Sequence, residues 1–171
     1  MADRERTWTG ERFYMDRVAV PKRSGGVKYK DMLVHPGAVA IVPVLDDGRL
    51  VLIQNRRFAV GRQLWEIPAG TLEASEDPAA CAGRELIEET GYRAASIAKL
   101  TEFFTAPGFC DERMHVFVAT GLEEVGQKLE DTEDIEVHAL SVDDIRAMIR
   151  DGRIEDGKTI ASLYRYLDAD E

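Results

Sequence analysis

One helix, with both of its ends marked, is specified by residues 70–92, which read GTLEASEDPAACAGRELIEETGY. Asp77 is a good N-cap, and Pro78 suits the first helical position. Gly91 is a typical helix stop. The apolar positions at helical spacing predict the buried stripe of this helix, namely Ala79, Ala82 and Leu86. The segment therefore predicts an amphipathic helix that packs on a core through one face.

The last turns of this helix carry three glutamates, Glu85, Glu88 and Glu89. Positions three and four apart lie on adjoining parts of one helix face. Like charges at that spacing repel by about 0.2–0.5 kcal/mol, and the helix dipole adds about 0.3–1 kcal/mol for each anion near the C-terminus. A bound divalent cation would remove this conflict. The cluster therefore indicates a metal site, and the alternative is a solvated acidic helix.

The segment resembles the Nudix box, whose family pattern is G-x5-E-x7-R-E-U-x-E-E-x-G-U, with U a bulky apolar residue. Eight positions fit this pattern: Gly70, Glu76, Arg84, Glu85, Leu86, Glu88, Glu89 and Gly91. Tyr92 departs mildly, because it is aromatic where an aliphatic residue is commoner. The resemblance to Nudix hydrolases implies an α+β fold, the Nudix α/β/α sandwich with a mixed sheet.

The resemblance also implies a role for the residues of the box. Glu85 and Glu89 are then metal ligands, the Ala69 carbonyl supplies a backbone oxygen, and Glu88 is a further ligand or acts through water. Arg84 orients a carboxylate, although an ordinary helix ion pair is the alternative reading of the same spacing. An oxygen-only site suits Mg²⁺, with Mn²⁺ as a substitute. Attack on a diphosphate is then expected from metal-activated water, without a covalent intermediate.

A candidate general base lies outside the box, in the loop TAPGFCDER at residues 105–113. This loop is similar to the loop that follows the box in ADP-ribose pyrophosphatases, whose proline marks the subfamily. Pro107 and Gly108 are therefore expected to bind substrate, and Glu112 to act as the base or to position metal. A solvated surface acid is the alternative for Glu112, and Glu88 is the alternative base.

Further substrate-binding residues are implied by the same resemblance. Arg56, in the motif QNRR, matches a family arginine that contacts diphosphate, whereas Arg57 stands where many relatives have Pro, so its role is open. Glu73 is either a partner for a terminal-sugar hydroxyl or simply an acid at the start of the helix. An adenine needs an aromatic face. The candidates for that face are Trp8, Tyr14 and Tyr29.

Apolar patterning predicts the remaining elements. Residues 1–10 are polar and expected to be loose. Strands are predicted at 11–20 and 27–34, and a buried strand over 37–45 is expected to form a hairpin with 50–57. The other predicted strands lie at 65–67, 96–104, 114–119 and 135–140, and the other predicted helices at 142–150 (capped by Ser141) and 158–167. We expect an N-terminal β extension at 1–34 and a Nudix domain at 35–171.

Charge and composition exclude several classes of function. The net charge is −10, from 22 basic and 32 acidic residues, and no basic run is present. Nucleic-acid binding is therefore not expected. No apolar run approaches the ~20 residues that span a bilayer, and the N-terminus has no apolar signal core. Cys81 and Cys110 are expected to be free thiols, which suits a reducing cytoplasm.

The leading hypothesis is a Mg²⁺-dependent hydrolase that cuts ADP-ribose into AMP and ribose 5-phosphate. The alternatives are another nucleoside-diphosphate sugar, such as ADP-glucose or GDP-mannose, and a non-catalytic nucleotide sensor. We also expect a homodimer in which residues 11–34 help to build the substrate site of the other subunit. These strands carry more apolar residues than one compact core needs: Phe13, Met15, Val18, Val20, Met32 and Val34. Packing on their own core is the alternative.

Overall fold

The structure, a computed structural model, describes residues 3–129 and 133–168. Within these ranges the chain forms ten strands and three helices. The strands are β1 Arg4–Thr9, β2 Tyr14–Pro21, β3 Val27–Val34, β4 Ala38–Pro43, β5 Leu50–Arg57, β6 Arg62–Glu66, β7 Ala69–Thr71, β8 Tyr92–Phe104, β9 Arg113–Glu124 and β10 Ile135–Leu140. The helices are α1 Pro78–Thr90, α2 Val142–Arg150 and α3 Gly157–Leu167.

The described strands form three sheets. A four-stranded sheet has the order β7-β4-β9-β8, and two three-stranded sheets have the orders β10-β5-β6 and β1-β2-β3. Strands β4 and β9 run parallel, whereas the other strand pairs are antiparallel. The predicted α+β class with a mixed sheet is therefore confirmed.

Strand β4 is buried on both faces and divides the core into two parts. Val39 and Ile41 pack against Cys81, Ala82 and Leu86 of α1. The alternate residues Ala38, Ala40 and Val42 pack on the other side against apolar residues of β5, α2 and α3, namely Leu50, Leu52, Ile145, Met148 and Leu163. Successive side chains of a strand point to opposite faces, so the continuous apolar run of β4 holds a helix layer on each side of the sheets.

The predicted hairpin between β4 and β5 is wrong. The turn forms as expected, with Gly48 at φ 83°, but the two strands then separate, and an isolated bridge joins Val44 to Leu50. Both edges of β4 are occupied by β7 and β9. Strand β5 therefore pairs with β6 and β10 in the other sheet.

The prediction of a loose N-terminus is also wrong for residues 4–9, while residues 1–2 lie outside the described part of the chain. Strand β1 pairs with β2, and Arg6 Nε lies 2.8 Å from the buried carboxylate of Asp16, which also pairs with Arg4. All six residues of β1 are exposed. Such a strand has no apolar alternation, so the sequence pattern gave no sign of it.

The caps of α1 are confirmed, but its buried stripe is partly wrong. The Asp77 side chain accepts hydrogen bonds from the backbone N–H groups of Ala79 and Ala80, and Gly91 is left-handed with φ 74°. Ala79 itself is exposed, and Cys81 takes its place in the buried stripe. A helix that starts at Pro78 turns Ala79 away from the sheet, since positions 81, 82 and 86 define the packed face.

Two strands are longer than predicted. Strand β8 begins at Tyr92, directly after the helix stop, and β9 continues to Glu124. Their outer parts pair with each other and carry mostly exposed side chains, so burial does not mark them in the sequence. Cys81 and Cys110 are buried and unpaired, as predicted. No helix in the described ranges is long and apolar enough to cross a membrane.

Candidate active site

An open cleft of about 1590 Å³ gathers most of the predicted site residues. Its walls come from the end of β5, from β7, from α1, from the start of α3, and from residues 11–13 before β2. The predicted residues that line it are Arg56, Ala69, Glu73, Arg84, Glu85, Glu88, Glu89 and Glu112. Pro107 and Gly108 are exposed in the turn before Glu112, outside this lining, and their role in binding substrate stays a prediction.

Strand β7 and helix α1 meet at the glutamates. The backbone N–H of Ala69 donates to Glu89 Oε2 at 2.8 Å. A Cβ atom on Gly70 would lie 1.9–2.4 Å from the carboxyl atoms of Glu85, far inside van der Waals contact. Glycine at position 70 is therefore the residue that lets the strand approach the acidic face of the helix.

Burial raises the pKa of two of these acids. Glu89 is 3% exposed, and burial raises its pKa to about 8, against a hydrogen bond from the Ala69 N–H that lowers it. Burial also raises the pKa of Glu85, although Arg84 beside it acts in the opposite direction. Loss of hydration penalises the charged form of a carboxyl group. A cation in the cleft would favour the ionised form of both side chains.

Arg84 joins the acids of α1 to the start of the box. Its guanidinium donates to both Glu76 oxygens at 3.0 and 3.1 Å, and its Nη1 donates to Glu85 at 2.7 Å and to Glu88 at 2.9 Å. These hydrogen bonds to Arg84 are the largest cause that lowers the pKa of Glu76 to about 2. The geometry supports the role predicted for Arg84, which is to orient carboxylates.

The donor set of the cleft suits a hard divalent cation. The Glu85, Glu88 and Glu89 carboxylates and the β7 backbone offer oxygen atoms, the ligands that Mg²⁺ prefers. In the structure, Glu85 and Glu88 form ion pairs with Arg84. Within residues 3–129 and 133–168, no group of three His, Cys, Asp or Glu side chains is arranged to hold a metal ion. The site therefore fits the metal in chemistry, with its anionic charge partly balanced by an arginine.

The C-terminal end of α1 is held by the segment after β9. Gln127 Nε2 donates to the Glu89 carbonyl at 2.7 Å, and the Lys128 N–H donates to the Glu88 carbonyl at 3.0 Å. These bonds satisfy carbonyls that a helix end leaves unpaired. The same segment leads to Glu133, which lines the cleft and whose charge raises the pKa of both Glu85 and Glu89.

Glu133 was not among the site residues predicted from the sequence. A signal was available, since this glutamate stands in an acidic run directly before β10, but acidic runs are usually solvated. Its neighbour Asp134 accepts a hydrogen bond from the Arg56 N–H at 3.3 Å, which joins this part of the chain to the end of β5. Glu133 therefore joins Glu88 and Glu112 as a candidate acid of the cleft.

Glu112 has one hydrogen-bonded neighbour and one close neighbour. Thr105 Oγ1 donates to Glu112 Oε2 at 2.6 Å, and His35 Nδ1 lies 3.5 Å from Glu112 Oε1. The Gly37 N–H donates to His35 Nδ1 at 3.2 Å. The hydrogen bond from Thr105 gives Glu112 a defined orientation at the cleft, and its role as the base stays a prediction.

A group of alternating charges that the sequence did not reveal lies across the cleft from α1. Arg57 Nε and Nη2 donate to Glu66 at 2.8 and 2.7 Å, and Lys158 at the start of α3 donates to the same Glu66 carboxylate. Glu66 is fully buried. Arg56, the predicted diphosphate ligand, lines the cleft but is exposed. The anchored cation of the site is therefore its neighbour Arg57.

The aromatic residues at the cleft are not those predicted. Phe13, Phe58, Phe103 and Phe104 line it, and Phe58 is 97% exposed. Of the predicted candidates, Trp8 contacts the cleft residue Phe13 with ring centroids 5.6 Å apart. Tyr14 lies under Arg6, and Tyr29 lies on the N-terminal sheet beside a smaller depression. Exposed phenylalanines offer the flat surface that a base requires.

Several known proteins are similar to this chain. A family model described as the NUDIX domain matches residues 34–163. The ADP-ribose pyrophosphatase of Bacillus subtilis (strain 168) is 38% identical over 160 residues, which cover 92% of this chain and 85% of that protein. The GDP-mannose pyrophosphatase of Citrobacter koseri (strain ATCC BAA-895) is 37% identical over 154 residues, covering 83% and 80%.

Among solved structures, the crystal structure of an ADP compounds hydrolase superposes with a TM-score of 0.86. The match covers 98% of this chain and 92% of that one at 20% identity, so it bears on the fold alone. It confirms the sandwich expected from the sequence.

Proposed function

The chain belongs to the Nudix family, and on that basis we propose that it hydrolyses the diphosphate bond of ADP-ribose to give AMP and ribose 5-phosphate. One observation carries this proposal. The box glutamates meet the β7 backbone in a single large cleft, and the anchored cation Arg57 lines the same cleft. A diphosphate needs both positive charge and ordered acids around it.

In the proposal, Glu85, Glu88, Glu89 and the Ala69 carbonyl hold Mg²⁺, with Mn²⁺ as a substitute. Such an ion supplies neutralisation of phosphoryl charge and a lower pKa for water. Arg84 keeps Glu85 and Glu88 oriented through its hydrogen bonds to both. The oxygen-only donor set and the raised pKa of the buried Glu89 support this assignment.

The reaction consumes one water molecule. Its oxygen bonds to one phosphorus as the bond from that phosphorus to the bridging oxygen breaks, and the bridging oxygen leaves on the other phosphate. The proton of the attacking water passes to a carboxylate within reach. We assign this role to Glu112, which Thr105 orients, and the alternatives are Glu88 and Glu133.

We assign the diphosphate contact to Arg57 in preference to Arg56. Glu66 engages Nε and Nη2 of Arg57, and among the contacts of the described residues this leaves Nη1 for an anion. A planar guanidinium held on one edge is well suited to phosphate oxygens. Arg56 and Glu73 lie at the exposed wall of the cleft, where they are proposed to contact the outer parts of the substrate.

Another nucleoside-diphosphate sugar is the second candidate substrate. The similarity to a GDP-mannose pyrophosphatase favours it, and the cleft is larger than the ~300–1,000 Å³ that most small-molecule sites occupy. A non-catalytic sensor is disfavoured because Glu85, Glu88, Glu89 and Arg84 are all present and line the cleft.

A substrate panel tests the proposal. Purified protein with Mg²⁺ is given ADP-ribose, ADP-glucose, GDP-mannose and free ADP, and the products are separated by anion-exchange chromatography. We expect AMP and ribose 5-phosphate from ADP-ribose at the highest kcat/KM. Faster turnover of a sugar nucleotide would select the second candidate, and no turnover with Mg²⁺ or Mn²⁺ would leave the sensor.

We also propose a homodimer in the cytoplasm. The N-terminal sheet exposes Trp8 and Tyr29 at 51% and 58%, and Phe13 directly before β2 is 38% exposed. Pairing in a closed two-fold dimer covers such surface. Residues 11–13 already line the cleft of their own chain. Sedimentation equilibrium tests the assembly, since a mass near 19.1 kDa excludes a dimer, and a fully active protein lacking residues 1–34 would show that the sheet has no part in the site.

A further inference from the structure

Four charged side chains alternate in sign along one wall of the cleft. Arg57 donates to Glu66, Lys158 donates to Glu66 and to Asp156 Oδ2, the latter at 2.9 Å, and all except Glu66 line the cleft. The Lys158 side chain is 13% exposed and that of Glu66 is 1% exposed. A buried carboxylate that two cations share is strongly held in place, because each lost partner would leave charge uncompensated.

Arg57 lies in the field of three carboxylates. The hydrogen bonds to Glu66 are the largest cause that raises the pKa of its guanidinium, and the charges of Glu66, Glu89 and Asp156 act in the same direction. The charge of Asp156 therefore attracts the guanidinium, as that of Glu66 does. Lys158 occupies Asp156 and one oxygen of Glu66, so it limits where the guanidinium can turn.

Helix α3 is also joined to the core by hydrogen bonds that do not involve Lys158. Asp156 caps the helix by accepting from the Thr159 N–H at 2.9 Å and from the Thr159 hydroxyl at 2.6 Å. Thr159 Oγ1 in turn accepts from the Ile67 N–H at 3.0 Å. These hydrogen bonds join the helix start to the segment before β7 independently of the lysine. The attachment of α3 therefore does not depend on Lys158 alone, and its ammonium group can have a further role.

We propose that Lys158 is a positioning residue for substrate binding: by holding Glu66 and Asp156 it keeps the Arg57 guanidinium directed at the diphosphate. This inference rests on the proposed function, since it takes a nucleoside diphosphate as the ligand. Lys158 acts through Arg57 and does not itself touch the substrate. Its loss is therefore expected to weaken ground-state binding more than turnover.

The test is a double-mutant cycle on Lys158 and Arg57. Steady-state kinetics on ADP-ribose gives kcat and KM, and calorimetry with Mg²⁺ gives the Kd of the α,β-methylene analogue of ADP-ribose, whose P–C–P link is not cleaved. Lys158→Met is expected to raise KM and Kd by about ten-fold, with kcat changed by less than about three-fold. Lys158→Arg, which keeps a cation at Glu66, restores both to within about three-fold.

In an Arg57→Met background, Lys158→Met is expected to change Kd by less than about two-fold, because there is no guanidinium left to position. Lys99→Met is the matched control: Lys99 pairs with Glu102 at 2.7 Å on β8, away from the cleft, and its removal should leave Kd unchanged. Lys158→Gln is the second variant if Lys158→Met does not fold.

An equal loss in the wild-type and Arg57→Met backgrounds would overturn the inference, because Lys158 would then contact the ligand directly. An unchanged Kd in Lys158→Met would overturn it as well. Failure of the proposed function is distinguishable. A wild-type protein that cleaves no nucleoside-diphosphate sugar, yet binds the analogue with this dependence on Lys158 and Arg57, would refute the activity and support the positioning role.

Discussion

Replacement of Glu89 by Gln is expected to stabilise the metal-free protein and to do so more strongly as the pH rises. Glu89 is buried near the C-terminal end of α1 and accepts from the Ala69 N–H. A glutamine oxygen can accept the same hydrogen bond, so the substitution removes the charge while keeping the contact. The helix dipole contributes to the instability of this anion, but burial is the larger cause.

The magnitude follows from the pKa. In the folded protein the pKa of Glu89 is about 8, against an ordinary value of 4.5. A folded pKa above the unfolded one means that stability is full below about pH 4.5 and falls as the pH rises toward 8. Each pKa unit corresponds to about 1.4 kcal/mol, so ionisation costs about 3 kcal/mol at pH 7 and about 5 kcal/mol above pH 8.

The assay is urea unfolding of wild type and Glu89→Gln in EDTA at several pH values from 4.5 to 8.5. The variant should gain about 3 kcal/mol at pH 7, or roughly 6–12 °C in Tm for a chain of this size, and less than about 0.5 kcal/mol at pH 4.5. Glu88→Gln is the matched control on the same helix. Its side chain is 37% exposed, and its change should stay within about 0.5 kcal/mol.

Two results would refute this reasoning. A gain that does not depend on pH would show that the charge of Glu89 is not what limits stability, and a variant less stable than wild type at pH 7 would show that the folded structure stabilises the carboxylate.

Turnover provides the second half of the prediction. With Mg²⁺, Glu89→Gln should lose kcat by several orders of magnitude, and near-normal turnover would refute its assignment as a metal ligand.

Three further substitutions have defined outcomes. Glu112→Gln should lower kcat by about 10²–10⁴ with a smaller effect on KM, and activity within a few-fold of wild type would place the base elsewhere. Arg57→Gln should lower kcat/KM for ADP-ribose at least about ten-fold more than Arg56→Gln, and the reverse order would restore Arg56 as the diphosphate ligand. Gly70→Ala should displace the Glu85 carboxylate, because an added Cβ would lie 1.9 Å from it. We expect a loss of turnover with little change in far-UV circular dichroism, and wild-type kinetics would contradict the close approach.

Local interactions account for the parts of the fold that the sequence predicted well. The ends of α1 depend on Asp77, Pro78 and Gly91, which act within one turn of the helix. Strands β5 and β10 match their predicted bounds: β5 begins with the apolar run Leu50–Ile53 after a turn, and β10 alternates apolar and polar residues. The predictions failed where pairing decides the structure, as in β1, whose exposed residues depend on β2 and on Asp16.

The candidate site divides along the same line. The box glutamates and Arg84 could be read from spacing, because helix periodicity places side chains three and four apart on one face. Gly70 was marked only by the resemblance to the Nudix box. Arg57 and Lys158 could not, since they are separated by a hundred residues and meet through the buried Glu66. No local sequence pattern indicates a contact between residues so far apart in the chain.

The sequence alone therefore determined the class of the fold, the acidic helix face and the chemistry suited to it. Tertiary structure decided which arginine is anchored, that Glu133 lies at the box acids, and that Glu89 is buried enough to raise its pKa to about 8. The physical reason is the distance along the chain over which each interaction acts. Capping and helix periodicity act over a few residues, whereas desolvation and charge pairing depend on every segment that packs around a group.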